Sequence, residues 1–305
     1  MVNDAMGNER RMIMGRHIRK GEVLRFAIRT AIVPVFLIAA VLAWAQVSNL
    51  VTNGGAETGD KANWVGVTSV ISEGAHSGSY CLLSEGGSVV YTSQFIPVDT
   101  AKTYMLKGWF KSTGNAPSKL YFGYMPCDAN KKQIMPAHVL VYPGTETTLT
   151  ENCKKEDMLL KIADGSKWQA APYAMAAFGV DDSGNYADLP NRNLASTGIL
   201  KVEKREGYWE VQLAKPCNIS YPANTKVREH RAAGTYIYNA AGPKLVPAEW
   251  TEYQGTITGE SLNTAPPTMW WKGTKFAKIL ILSNEGQDKE FKLLIDDISM
   301  EELVK

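Results

Sequence analysis

From Asn49 onward the chain is cut into short runs of alternating apolar and polar residues, separated by Gly, Asn, Asp and Pro. A period of two lets one face of a strand enter a core while the other meets water; a helix, with its period of 3.6, cannot use that pattern. Residues 65–72, 79–83, 88–98, 103–112 and 119–125 read as strands, and the rhythm returns at 249–257, 275–283 and 290–300. No segment sustains a helical period of apolar residues. Many short strands at regular spacing predict an all-β sandwich or barrel, not a set of βαβ units.

The middle of the chain, about 136–245, differs. Strand-like pieces at 157–162, 173–180, 198–203, 208–213 and 234–238 are joined by long polar loops, among them Asp181-Asp182-Ser183-Gly184-Asn185 and Leu189-Pro190-Asn191-Arg192-Asn193. Residues 204–207 read as a hairpin tip. The expectation is one sandwich domain over 46–305 that carries a β-rich insertion. A separate second domain is the alternative, although no Pro/Ser/Gly linker marks its boundary.

Ahead of the strands lies a basic stretch holding Arg10, Arg11, Arg16, Arg19, Lys20, Arg25 and Arg29, then an apolar run over 31–42 and Ala43-Trp44-Ala45. That order describes an export signal over residues 1–45, cleaved before Gln46. The uncharged part is shorter than the roughly 20 residues of a spanning helix and contains Pro34, so no stable membrane span is expected after cleavage. An uncleaved anchor is the alternative. The protein is expected to be secreted, periplasmic or on the cell surface. The whole chain has a formal charge of +2, and residues 1–45 hold seven Lys/Arg against three Asp/Glu, which leaves −2 on the remainder. A nucleic-acid partner thereby loses its electrostatic support. Cys81, Cys127, Cys153 and Cys217 all follow the signal, and an oxidising compartment permits two disulfides among them. Cys127 with Cys153 is the preferred pair because both flank one excursion. Their spacing matches no zinc pattern.

Several pieces of the chain resemble carbohydrate-binding modules of families 4, 9 and 22, in the galactose-binding-like jelly-roll group. They are Asn53-Gly54-Gly55-Ala56-Glu57, Trp64, Gly74-Ala75-His76-Ser77-Gly78-Ser79-Tyr80, the run from Thr103 to Lys111, and Leu294-Ile295-Asp296-Asp297-Ile298. The resemblance implies a jelly-roll β-sandwich whose first and last strands meet, and glycan binding as its function. It also implies a structural calcium ion where the chain ends meet, with Glu57, the backbone around Ser77 to Ser79, and Asp297 or Asp296 as candidate ligands; hard carboxylate and backbone carbonyl oxygens suit that ion. Strand alternation puts Phe291, Leu293, Ile295 and Asp297 on one face and Asp296 on the other. A surface aspartate capping a turn is the alternative. The insertion departs from the family pattern and could cover or rebuild the usual binding face.

Sugar binding calls for flat aromatic faces and nearby polar groups. Along 103–112, alternation sets Tyr104, Leu106 and Phe110 on a core face, and Met105, Lys107, Trp109 and Lys111 on the other. Trp109 with Lys107 or Lys111 is therefore a candidate glycan platform, against the reading that lysine stems cover a buried tryptophan. Trp270 and Trp271 are adjacent, so one should point outward, and Trp271 joins the candidates. Tyr236 and Tyr238 share a face beside Arg228-Glu229-His230-Arg231, a group suited to a carboxylated or sulfated sugar through Arg228. A solvated strand edge with internal ion pairs is the competing explanation.

No nucleophile elbow, zinc-binding helix or phosphate loop occurs, and no carboxylate pair has hydrolase character. The expectation is a secreted, non-catalytic protein that binds a polysaccharide or glycan, its oligomeric state left open. An extracellular structural or adhesive surface subunit is the alternative; a polysaccharide lyase or glycoside hydrolase stands behind both.

Overall fold

The computed structural model describes residues 48–87, 89–115, 118–283 and 290–304. Residues 1–45, read above as an export signal, lie outside them.

Two antiparallel sheets form the body of the protein. The first contains β1 (Trp64–Val65), β4 (Val89–Thr92), β5 (Ile96–Pro97), β7 (Ser118–Cys127), β14 (Ile237–Val246) and β16 (Phe276–Ser283). Its order is β1-β4-β16-β7-β14, with β5 also paired to β16. The second contains β2 (Ser69–Ile71), β3 (Cys81–Glu85), β6 (Thr103–Ser112), β15 (Thr251–Thr258) and β17 (Lys292–Leu303), in the order β15-β6-β17-β3-β2. Number the eight principal strands in chain order as β3, β4, β6, β7, β14, β15, β16 and β17. One sheet then reads first-eighth-third-sixth and the other second-seventh-fourth-fifth. Those are the two nested antiparallel ribbons of a jelly roll.

Alternation explains the packing. Along β6, Tyr104, Leu106 and Phe110 are buried while Met105, Lys107, Trp109 and Lys111 are partly exposed. Phe122 and Tyr124 of β7, Ile279 and Ile281 of β16, and Leu293 and Ile295 of β17 enter the same core. The chain ends meet as expected. Leu50 N donates to Met300 O, Asn49 Nδ2 donates to Ile298 O, and Ile298 N donates to Gly54 O.

One expected register does not hold. Pairing of β17 with β6 slips between Asp296 and Ser299, and Asp297 adopts a φ of 49°. This bulge carries Asp297 out of the inward series that Phe291, Leu293 and Ile295 begin. Ile298 and Met300 take over the core positions, both fully buried. A carboxylate in that apolar core would lose its hydration without a charge partner, so the bulge removes a costly burial.

Between β7 and β14 the chain makes its long excursion, so β14 itself belongs to the first sheet. A short helix, α1 (Pro136–Val139), opens it. Two small sheets follow. In one, β10 (Ala174–Phe178), β13 (Lys226–Arg231) and β8 (Thr147–Thr148) lie in that order; in the other, β11 (Ile199–Lys204), β12 (Trp209–Leu213) and β9 (Leu159–Ile162) do. They enclose a second apolar cluster that includes Leu160, Phe178, Val211 and Val227. Ile134, Val139, Val141 and Leu189 instead join the sandwich core, which stitches the excursion to its host.

Cys153 and Cys217 both lie in the second cluster, with their sulfurs 3.1 Å apart. Cys127 ends β7 in the sandwich. All four cysteines are buried free thiols, and the residue beside Cys153 is Cys217, brought near by the bridge between Cys153 and Tyr221, not the Cys127 that spacing suggested.

Candidate functional site

The seam between the chain ends gathers all four residues assigned to calcium. Glu57 accepts the backbone N–H of Ser79 at 2.9 Å and of Tyr80 at 3.2 Å. Asp296 accepts the N–H groups of His76, Ser77 and Asp297 at 2.8, 3.2 and 2.8 Å. Asp297 takes the Ser77 hydroxyl at 2.7 Å and pairs with His76 Nδ1 at 2.7 Å. Burial pushes the Asp296 carboxyl above the usual carboxylate range, and its N–H donors work against that rise. Three carboxylates and a hydroxyl have the chemistry of a calcium shell. All three carboxylates are nevertheless engaged by N–H or O–H donors. Among the described residues, no three His, Cys, Asp or Glu side chains are gathered as a metal-holding group.

The expected ligand contacts are dispersed. Trp109 faces outward on the second sheet, but His76 stacks on its ring at 3.9 Å and 15°, with Trp250 edge-on to His76 at 5.6 Å. Lys107 beside it is tied to Glu301 at 2.9 Å, and Lys111, opposite Leu294 on β17, is partly exposed. Trp271 is 1% exposed and its indole donates to Pro266 O, so it presents no face to a ligand; Trp270 is buried too. Adjacency implied that one of the two would point outward, but they lie in a loop whose turn buries both.

Arg228 is also out of reach. Its Nη2 bonds Asp188 at 2.9 Å and His230 Nε2 at 2.9 Å, its Nη1 donates to Asp181 O, and its side chain is fully buried. His230 Nδ1 sits 2.8 Å from Ala137 O, which makes Nδ1 the protonated nitrogen and Nε2 the acceptor of the Arg228 N–H. Nearby, His138 Nδ1 accepts the Met135 N–H at 3.1 Å and lies 3.3 Å from Arg192 Nη1. This polar cluster packs the excursion against its host and holds no open anion site.

Tyr236 and Tyr238 do lie on an accessible face, and they have unanticipated company. Directly opposed residues on paired strands share a face. Val65 opposes Tyr91, Tyr91 opposes Leu280, and Leu280 opposes Gly123; Leu282 opposes Tyr121, and Lys278 opposes Met125. These residues lie on the side of the first sheet away from the sandwich core, where Leu280 and Leu282 are buried and Tyr91, Tyr121, Met125 and Lys278 are partly exposed. Tyr121 and Tyr238 meet at 4.9 Å, and Tyr236 reaches Tyr238 at 6.2 Å. Burial raises the Tyr236 phenol pKa, with Tyr91 close enough to add to the shift. Phe95 and Phe276 pair edge-on at 6.4 Å at the other end. The six rings are all partly exposed.

Local sequence makes this possible. Lys119, Tyr121, Gly123 and Met125 alternate with the buried Leu120, Phe122 and Tyr124. Gly123 is required: a Cβ there would collide with the Ile237 carbonyl and sit 2.9 Å from Tyr238 Cα. Its absence lets the irregular β14 close over β7 and set Tyr238 beside Tyr121.

No protein-family model matches the chain, and no curated protein matches it. Solved structures similar to it include carbohydrate-binding modules. The xylan-binding CBM22-1 domain of Paenibacillus barcinonensis Xyn10C is 11% identical over 85% of this chain and 97% of its own, with a TM-score of 0.38. A family 16 carbohydrate-binding module is 12% identical over 83% and 99%, at 0.32. TmCBM61, solved with β-1,4-galactotriose, is 14% identical over 84% and 99%, at 0.31. At these scores the likeness carries no argument about ligand or site, and the jelly roll rests on this protein's own strand pairing.

Proposed function

We propose that this is an exported, non-catalytic carbohydrate-binding protein that receives a glycan on the outer face of its first sheet. The supporting observation is the set of six partly exposed rings, Tyr91, Phe95, Tyr121, Tyr236, Tyr238 and Phe276. Pyranose rings bury their C–H faces against flat aromatic surfaces, and four of these rings carry hydroxyls that can serve the sugar's own. Buried positions on the opposite side of the same strands keep the platform rigid, which limits the ordering cost of binding.

The test is a glycan array followed by titration calorimetry. The double variant Tyr121→Ala, Tyr238→Ala should lose at least about tenfold in affinity, or about 1.4 kcal/mol, at unchanged melting temperature. A blank array together with self-association on a sizing column would replace this reading with a surface-assembly subunit.

Calcium at the seam is a separate proposal. Glu57, Ser77, Asp296 and Asp297 would hold the ion, whose contribution would be to tie the 74–80 loop to β17. A rise in melting temperature when calcium is added to chelator-treated protein supports it; an unchanged value removes it.

A further inference from the structure

The ring-bearing face has a charge character that the function above does not use. The strands of the first sheet contain Lys119, Lys244 and Lys278 and no Asp or Glu. The second sheet carries Glu85, Glu252, Asp296, Asp297, Glu301 and Glu302 against Lys107, Lys111 and Lys292. One of the first sheet's three lysines, Lys278, stands beside the Phe95–Phe276 pair. Lys278 Nζ lies 4.6 Å from the Tyr91 ring centre and 4.7 Å from that of Phe95. Lys131 Nζ approaches the same pair from the loop after β7, at 5.3 Å from Phe95 and 5.5 Å from Phe276.

Several other lysines are held in ion pairs. Lys102, Lys107, Lys226 and Lys292 each have a carboxylate oxygen within 3 Å. Among the described residues, neither Lys278 nor Lys131 has one within ion-pair distance. The acid nearest Lys131 in sequence, Asp128, is committed to Arg192 at 2.9 Å and to the N–H groups of Asn130 and Lys132. Lys278 is also partly buried, which holds its pKa below the usual lysine value. A partly desolvated ammonium that touches only rings is stabilised by an arriving anion more than a fully hydrated one is.

We propose that the glycan taken on this face is anionic, a polysaccharide bearing uronic-acid carboxylates or sulfate esters, and that Lys278 and Lys131 receive its negative groups. The proposal rests on the glycan-binding reading and narrows it. Both ammonium groups stand over ring faces, Lys278 above Tyr91 and Phe95 and Lys131 above Phe95 and Phe276. A sugar seated on Tyr236, which adjoins Tyr91, would bring its carboxylate or sulfate to the edge of that lysine-covered group. Rings set the sugar's plane and lysines select its charge.

The experiment uses polygalacturonate beside its carboxyl-reduced form, and a sulfated galactan beside its desulfated form, each titrated into the full-length protein by calorimetry. The proposal expects one acidic polymer to bind at least about tenfold more tightly than its neutral twin. That preference should shrink as salt rises from roughly 50 to 300 mM. The double variant Lys278→Met, Lys131→Met keeps the apolar stems and should abolish the preference while leaving melting temperature and neutral-polymer affinity unchanged. Whichever acidic polymer is preferred separates carboxylate from sulfate. Equal or tighter binding of the neutral forms overturns the anionic assignment and leaves glycan binding standing. A variant that keeps the acidic preference overturns the role of the two lysines. If neither these polymers nor the array shows binding, both readings fall together.

Discussion

Acid should destabilise this fold through two histidines that packing keeps neutral. His138 and His230 have pKa values lowered to about 4, in both cases chiefly by burial. Geometry explains the direction. In His230 the only basic nitrogen, Nε2, faces the Arg228 guanidinium, with Asp188 beyond it; in His138 the acceptor nitrogen faces the Met135 N–H and Arg192, which pairs with Asp128. A second proton would set N–H against N–H at either site. In the unfolded chain each imidazole titrates near 6.5. Between pH 6.5 and 4 the unfolded state therefore binds protons that the folded state refuses, so stability is fully present above 6.5 and lost as pH falls through that window. Each histidine contributes a slope of about 1.4 kcal/mol per pH unit and a total of about 3 kcal/mol. Two such losses are large beside the roughly 5–15 kcal/mol of an ordinary domain. Glu229 works in the opposite sense, because burial holds its carboxyl above the usual range and it gains a proton more readily when folded. A variant comparison separates the terms. His138→Asn supplies an oxygen in place of the acceptor nitrogen, and should remove about 1.4 kcal/mol per pH unit from the slope measured by urea unfolding. Equal slopes in variant and parent, or a parent midpoint at pH 4.5 that matches pH 7, would refute the argument.

Three other outcomes are open to direct measurement. Oxidation by a disulfide donor should convert the Cys153 and Cys217 thiols to a disulfide with loss of two hydrogens, seen by peptide mapping. A closed loop spanning a separation of 64 residues is worth about 4 kcal/mol on the chain-entropy account, so a Cys127–Cys153 peptide or an unchanged unfolding midpoint would sink this pairing. Asp296→Ala should strip three N–H groups at the seam of their acceptor and cost about 3–5 kcal/mol in chemical denaturation; a loss below about 1 kcal/mol would mean that water replaces the carboxylate. Gly78→Ala meets both a φ of 61° and the Glu57 carboxyl, whereas Gly184→Ala meets a φ of 84° and open space. The first should therefore be the more destabilising by about 1–3 kcal/mol, and equal melting points would remove Glu57 as the reason.

How far the amino-acid order revealed this protein depended on the distance over which each fact is decided. The inward and outward sides of β6 are a local matter, and simple alternation assigned Trp109 and Phe110 to their proper sides. The meeting of the chain ends followed from short motifs at both termini of the sandwich. Alternation failed at Asp297, because a bulge is a response to the neighbouring strand and leaves no mark in one strand's own pattern. Trp271 and Arg228 were misplaced for a related reason: exposure depends on which loop folds over a residue. The ring-bearing face was half visible. Tyr236 and Tyr238 stood out as a pair, and the run from Lys119 to Met125 already alternates Tyr121 and Gly123 outward. Strand pairing between β4, β16, β7 and β14 joins them to Tyr91, Phe95 and Phe276, and those segments lie far apart in the chain.

The position of β17 sets a timetable for this molecule. It lies in the interior of its sheet, between β6 and β3, yet it is synthesised after both; Phe110 waits for Ile295, 185 residues downstream. Until that segment leaves the ribosome, β6 and β3 have no shared neighbour and the core has no closed wall. Assembly is thus deferred until β17 has been made, and pairings of such long range are slow to form. The delay leaves apolar strand edges uncovered for longer, so production of the protein should be sensitive to chaperone supply.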